Sequence, residues 1–122
     1  MVASIKLLCA LFFFCLLSKG NCQCSLGDIS IKQEATEKRV GGQQEWLVTV
    51  SNNCVCSQYN VKLDCTGFSS EEIVDSSKLT NTGNECLING GRPIFKSDPI
   101  SFTYAWDLIF PFKPLSSQVA CS

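Results

Sequence analysis

The sequence predicts an all-β protein: a small, disulfide-stapled antiparallel β-sandwich of roughly seven short strands, preceded by a signal peptide. Short segments in which apolar and polar residues alternate recur along the chain, and most are closed by Gly, Asn or Pro. No helical period persists between them. Nine cysteines in 122 residues are a density typical of small oxidised domains. These observations favour a β-sandwich over a helical or mixed fold.

The first 22 residues have the composition of a secretory signal peptide. Lys6 supplies the positive charge, residues 7–17 form an apolar run, and small residues precede a predicted cut after Cys22. The run is too short to span a bilayer, which takes about 20 residues. We therefore expect a secreted, extracellular protein without membrane insertion, with a signal peptide over residues 1–22 and a single domain over residues 23–122.

A cut after Cys22 leaves an even number of cysteines. The six that remain are Cys24, Cys54, Cys56, Cys65, Cys86 and Cys121. An oxidising compartment favours three disulfides over free thiols or a metal site. The sequence does not choose the pairing, but a Cys54–Cys56 bond would enclose one residue and constrain almost no chain entropy. We expect each of these two to bond to a distant strand.

Six segments carry a strand pattern. They are residues 25–36, 45–52, 58–65, 86–88, 98–112 and 119–121. In the third, Tyr59, Val61, Leu63 and Cys65 are predicted to share the buried face. Residues 37–44 are charged, contain a Gly-Gly pair and are predicted to form an exposed loop.

The aromatic segment, residues 98–112, is the most apolar and most regularly patterned. Phe102, Tyr104 and Trp106 alternate with polar or small residues and would share one face. That face could pack in the core against Trp46 and its neighbours, or form a flat platform for polysaccharide, as in a cell-wall carbohydrate-binding module. The core is favoured because no other segment offers comparable apolar area.

Composition excludes several classes of function. The chain has no histidine, so Ser-His-Asp and Cys-His arrangements are impossible within it. Asp64, Asp75 and Asp107 could form a glycosidase-like cleft, although solvated carboxylates are more ordinary at this density. We expect no catalytic residues, no metal, no cofactor and no small-molecule substrate.

The net charge of the predicted mature chain indicates which classes of partner are unfavourable. Removing Lys6 and Lys19 with the signal peptide leaves a net charge of about −3. That balance argues against nucleic acid and anionic membranes, which attract basic patches. Lys38 and Arg39 are an isolated basic pair: a dibasic processing site, a contact for an acidic partner, or solvated loop charges, the commonest case.

A series of motifs spans the predicted domain. They are Q-C-S-L-x-D-I (23–29), Glu45-Trp46, Asn53-Cys54-x-Cys56, V-x-L-x-C-x-G-F (61–68), Cys86 with Asn89-Gly90, F-x-Y-A-W-D (102–107) and a final V-x-C-S. In these motifs the chain resembles the plant TAPETUM DETERMINANT family of small secreted cysteine-rich proteins.

The resemblance implies a role in signalling. The family's cysteines map onto the six above, and its Y-A-W-D box maps onto Tyr104, Ala105, Trp106 and Asp107. It also implies a protein ligand for a leucine-rich-repeat receptor kinase, acting in cell-fate specification or differentiation of the anther and tapetum type. Lys38 and Arg39 are the candidates for a receptor-contact loop.

Overall fold

The computed structural model describes residues 24–121 and confirms the all-β fold. The strands are β1 (Ile29–Val40), β2 (Gln43–Asn52), β3 (Ser57–Asp64), β4 (Leu79–Asn81), β5 (Glu85–Ile88), β6 (Ile100–Ala105) and β7 (Lys113–Ala120). The predicted signal peptide and the predicted domain start at Gln23 lie outside the described residues. Over residues 24–121, no helix is long and apolar enough to cross a membrane.

The seven strands form two antiparallel sheets. One sheet has the order β1-β2-β6 and the other has the order β4-β5-β3-β7. In the first sheet, Trp46 lies opposite Tyr104 and Val48 opposite Phe102. The apolar faces of β2 and β6 therefore coincide, and they line the core of the predicted sandwich.

The core is built from the residues that the alternation indicated. Val48, Val50, Val61 and Leu63 are completely buried. Cys65, Cys86, Ile88, Ile94 and Tyr104 are also completely buried and join them in one cluster. Burying each large apolar side chain contributes about 1.5–3 kcal/mol, so this cluster is the main stabilising element.

One predicted face of β3 is wrong at its first residue. Gln58 is completely buried, whereas Tyr59 is only half-buried. Asn60 has φ +51°, and the pairing of β3 with β7 shifts register between Tyr59 and Lys62. This β-bulge inserts one residue and reverses the alternation, so Gln58 rather than Tyr59 shares the inner face with Val61.

The predicted exposed loop over residues 37–44 is also wrong. β1 continues to Val40, which pairs with Gln43, and only Gly41 and Gly42 form the turn. Both glycines have positive φ, +58° and +81°, as a two-residue type I′ hairpin turn requires. The charged residues before the turn are solvated side chains of a strand at the edge of the sheet, a common way to protect such edges.

Two strands differ from expectation in the second sheet. β4 lies inside the segment that showed no pattern, and β7 begins at Lys113, six residues before the predicted 119–121 strand. β4 has only three residues, and β7 is an edge strand with mostly exposed side chains and a proline. Neither therefore carries a strict alternation.

The disulfides pair Cys24 with Cys54, Cys56 with Cys121, and Cys65 with Cys86. Cys54 and Cys56 are thus each bonded to a distant cysteine, which confirms that expectation. The two bonds fasten the start and the end of the described chain to the same β2–β3 connection. The third bond lies in the core, where both of its cysteines are completely buried.

Candidate interaction surface

Three connections that contact one another lie at one end of the sandwich, which we call the loop end; the short β4–β5 turn is also at this end. They are the β1–β2 turn, the segment after β3, and residues 106–112 between β6 and β7. The antiparallel registers place them together, because β1, β3 and β6 all end there while β2 and β7 begin there. The opposite end carries the disulfides of Cys54 and Cys56.

Two tryptophans tie the start of the 106–112 connection to β2. The backbone N–H of Trp106 donates to the carbonyl of Gln44 at 3.0 Å. In return, the indole Nε1 of Trp46 donates to the carbonyl of Trp106 at 3.2 Å. Both side chains are half-buried against the core. They hold the chain where it leaves β6.

A ring of three hydrogen bonds fixes the middle of the same connection. The Tyr104 hydroxyl donates to Gln33 Oε1 at 2.6 Å and accepts the backbone N–H of Phe110 at 2.8 Å. Gln33 Nε2 donates to the Phe110 carbonyl at 2.6 Å. Burial raises the pKa of Tyr104, so the hydroxyl keeps the proton that it donates.

An aromatic cluster closes the space beneath the loops. Phe68, Phe110 and Phe112 contact one another with ring centroids 4.7–5.3 Å apart. Phe68 also meets Tyr104 edge-on at 5.3 Å. Edge-to-face pairs of this kind contribute about 0.5–1.5 kcal/mol each beyond their buried area. The connection after β3 and the connection before β7 are therefore packed on a common base.

Residues 69–74, which we call the strap, lie along the end of β6. The backbone N–H of Glu71 donates to the Ala105 carbonyl at 2.9 Å, and the Ala105 N–H donates to Ser70 Oγ at 3.0 Å. A Cβ on Gly41 would lie 3.3 Å from Glu71 Cβ, so the strap also touches the hairpin turn. All three connections are thus joined to one another.

The loop end exposes three large apolar side chains. Ile73 is 95% exposed, Leu108 71% and Ile109 47%. Asp107 is exposed beside them in sequence, and Lys38 and Arg39 are exposed on the hairpin. Contiguous exposed apolar side chains are typical of surfaces that contact other proteins, and Leu108 and Ile109 are neighbours in the sequence.

The predicted site residues divide between this surface and the core. Phe102 is 4% exposed and Tyr104 is completely buried, so a polysaccharide platform on β6 is wrong and the packing interpretation is confirmed. β6 ends at Ala105, which places Trp106 and Asp107 in the connection. Arg39 donates through its guanidinium to the Gly42 carbonyl, so it supports the hairpin turn.

Two of the three carboxylates of the hydrolase hypothesis are engaged in local turns. Asp64 accepts the hydroxyl and backbone N–H of Thr66, and Asp75 accepts the same groups of Ser77. These bonds hold the pKa of each carboxyl below its usual value. Both aspartates therefore stabilise local turns, while Asp107 lies at the loop end.

One group of possible metal ligands occurs within residues 24–121. It comprises Cys24, Asp28 and Cys54. The two sulfurs are bonded to each other, and the Asp28 carboxylate accepts the backbone N–H of Ser25 at 2.9 Å. The group therefore offers a cation one carboxylate, already engaged in a turn.

Sequence reasoning missed Gln33, Phe68, Phe110 and Phe112 as parts of this surface. Phe68 follows a cysteine and a glycine, and the other two phenylalanines flank Pro111, so each stands outside an alternating run. The sequence signal for Phe110 and Phe112 is the concentration of aromatic residues in 98–112, but the pattern predicts one long strand there, whereas β6 ends at Ala105. Nothing in the sequence marks Gln33, because the role of an inward-facing glutamine becomes visible only when its hydrogen-bond partners are known.

Comparisons with known proteins place the chain in a family. The family described as "Tapetum determinant 1, C-terminal" matches residues 25–122. TPD1 protein homolog 1B of Oryza sativa subsp. japonica is 32% identical over 100 residues, covering 80% of this chain and 58% of the relative. TPD1 protein homolog 1 of Arabidopsis thaliana is 30% identical over 101 residues, covering 80% and 55%. No solved structure matches the chain significantly.

The chain is a small disulfide-bonded β-sandwich protein, and it belongs to the tapetum determinant family. It spans little more than half the length of the two relatives above.

Proposed function

We propose that this protein is a secreted signalling protein of the tapetum determinant type. In this proposal it acts as a ligand for the ectodomain of a plant leucine-rich-repeat receptor kinase and directs cell fate or differentiation. Membership of the family supports the signalling role. The signal-peptide composition of residues 1–22 and the three disulfides support secretion.

The loop end is the observation that carries the proposal. Its three connections are joined by backbone and side-chain hydrogen bonds, so the backbone that carries its apolar side chains is ordered before a partner arrives. Binding through a preordered surface avoids the entropy that flexible loops lose, about 0.5–1.5 kcal/mol for each immobilised side chain. A rigid protein ligand of this size needs such a surface.

Within the loop end, Leu108 and Ile109 are the proposed anchors. They are neighbours on a connection fixed at both ends, and both are substantially exposed. In protein interfaces a few side chains that enter well-packed, desolvated pockets of the partner carry most of the binding free energy. Lys38 on the adjacent hairpin adds a positive charge and Asp107 a negative one, which favours a partner with charges of the opposite signs around that pocket.

The proposal is tested by binding of the oxidised protein to a panel of purified leucine-rich-repeat receptor ectodomains. We expect at least one to bind saturably in biolayer interferometry and to lose affinity when Leu108 is replaced by Ala. Val55→Ala is the matched control, because Val55 is 81% exposed at the opposite end. Absence of binding across the panel would contradict the proposed function.

A further inference from the structure

Two glutamates face each other beneath the strap, on the outer face of the three-stranded sheet. Glu45 on β2 is 7% exposed, and Glu72 reaches it from the strap, with the two carboxyl groups within hydrogen-bonding reach. Thr36 Oγ1 donates to Glu45 Oε1 at 2.7 Å. Thr103 Oγ1 donates to Glu72 Oε2 at 3.0 Å. The pair therefore contacts all three strands of the sheet.

The second carboxylate oxygen of Glu72 is shielded from solvent and has no hydrogen-bond partner. Among residues 24–121 it is the single buried side-chain oxygen or nitrogen in this condition. A buried acceptor without a donor destabilises the fold, and does so more strongly when it is charged. A proton between Glu45 and Glu72 would satisfy this oxygen. It would also remove the repulsion between two ionised carboxylates in contact.

The surroundings divide the two carboxyls into a stronger and a weaker acid. Burial and the contact with Glu45 raise the pKa of Glu72. The hydroxyl of Thr36, together with the contact to Glu72, lowers the pKa of Glu45. Lys38 is the other charged group that faces the pair, and its positive charge lowers the pKa of both carboxyls.

We propose that Glu45 and Glu72 share one proton and act as a pH-dependent clasp that holds the strap on the sheet. In the closed clasp, the protonated Glu72 donates to the ionised Glu45. When the pH rises, Glu72 loses this proton to solvent, both carboxylates are charged, and the strap separates from Glu45. The reaction is a simple deprotonation and needs no other reactant.

The pH window follows from the direction of each shift. Because the closed clasp raises the pKa of Glu72, its stabilisation is complete at low pH and is lost as the pH rises through that value. Because the closed clasp lowers the pKa of Glu45, that contribution is lost as the pH falls through the lowered value. The clasp is therefore strongest near the ordinary glutamate pKa, which lies between the lowered pKa of Glu45 and the raised pKa of Glu72.

Opening of the clasp alters the candidate interaction surface. The strap carries Ile73, the most exposed apolar side chain of the loop end, and Glu71, which packs against the hairpin turn. Its release frees Ile73 from the position that the strap gives it at the loop end. This consequence rests on the proposed function, whereas the clasp itself is a property of the isolated protein.

The clasp is tested by hydrogen exchange at the Glu71 amide, which donates to Ala105 across the strap. After correction for intrinsic exchange, we expect its protection factor to fall about tenfold for each pH unit between the ordinary glutamate pKa and the pKa of Glu72. Carbon-13 NMR of the side-chain carboxyl gives that pKa independently. An ordinary pKa at Glu72, or protection that does not change with pH, would overturn the proposal.

Glu72→Gln distinguishes the effect of the shared proton from that of the contact itself, because glutamine keeps the shape of the side chain but does not titrate. Its amide donates permanently to Glu45, so we expect Glu71 protection to remain high through neutral pH. Glu71→Gln is the matched control, because it removes one charge from the neighbouring exposed residue and leaves the pair intact. In this variant the protection factor of the amide at position 71 should still fall as the pH rises. Identical pH profiles for Glu72→Gln and the wild type would also overturn the clasp.

Receptor binding provides the final comparison. With a bound ectodomain, affinity should fall with rising pH in the wild type, and this change should disappear in Glu72→Gln. If no ectodomain binds while the exchange and NMR results hold, the proposed function fails and the clasp stands. If binding is strong but independent of pH, the regulatory consequence is wrong.

Discussion

The hydroxyl of Tyr104 donates to Gln33 across the inner face of the first sheet at 2.6 Å, while it accepts the backbone N–H of Phe110. This contact gives the tyrosine of the Y-A-W-D box a structural role. It joins the edge strand β1 to β6 and to the connection that carries the proposed anchors. The apolar ring builds the core, and its single polar atom orders the loop end.

Removing that hydroxyl should weaken the whole domain. In Tyr104→Phe, the Phe110 N–H and Gln33 Oε1 lose their common partner while the ring packing is kept. We expect a loss of about 1–3 kcal/mol in the free energy of unfolding, measured by urea denaturation under oxidising conditions. Tyr59→Phe is the control at a half-buried tyrosine. Equal stability of the two variants would contradict the role assigned to Tyr104.

The two disulfides of the β2–β3 connection and the disulfide in the core should make similar contributions to the free energy of unfolding. The loops that they close span sequence separations of 30, 65 and 21 residues. In the chain-entropy model each is worth about 3–4 kcal/mol. Replacing Cys56 and Cys121 together by Ser should lower the unfolding free energy by about that amount. Peptide mapping that recovered a Cys54–Cys121 link would refute the pairing itself.

Glycine is required at position 91 for two separate reasons. Its φ is +84°, and a Cβ there would lie 2.8 Å from Asn60 Oδ1 on the β3 bulge. Gly67 has a similar φ of +82° with open space around it, so Gly67→Ala carries backbone strain alone. We expect Gly91→Ala to be the more destabilising in thermal unfolding, by about 0.5–1.5 kcal/mol, because the Asn60 side chain must move and its hydrogen bond to Gln118 is disturbed. A reversed order would argue against the geometry of the bulge.

The charge of Lys38 should set the pKa values of Glu45 and Glu72. Its positive charge lowers the pKa of Glu72, so Lys38→Gln should raise that pKa further and move opening of the strap to higher pH. Arg39→Gln removes the same charge one residue away, where the guanidinium contacts Gly42 instead. We expect a smaller change there, by carbon-13 NMR titration. A downward shift in Lys38→Gln would be incompatible with this electrostatic account.

Much of the fold could be predicted because buried apolar residues alternate with more exposed residues along the strands of the core. Trp46, Val48 and Val50 align with Tyr104, Phe102 and Ile100, as two alternating strands in one antiparallel sheet must. The bulge at Asn60 could not be predicted, since it inserts a residue and reverses the period. Edge strands were missed or cut short because exposed side chains leave no apolar pattern.

The site was only partly accessible from sequence. Lys38, Trp106 and Asp107 were identified, although Lys38 lies on a strand and the other two lie beyond one. The Glu45–Glu72 pair was hidden because its members are 27 positions apart in the numbering and belong to a strand and a loop that meet only in the folded chain. Long-range contacts of this kind have no local signature.

The central claim is that the loop end is the surface through which this protein engages its receptor. The most direct measurement compares ectodomain affinity of Leu108→Ala/Ile109→Ala with that of Val55→Ala, each checked for native unfolding behaviour. We predict that the loop-end variant loses at least about tenfold in affinity, or about 1.4 kcal/mol, while Val55→Ala binds like the wild type. Unchanged affinity of the loop-end variant would contradict the account, whether or not Val55→Ala binds normally.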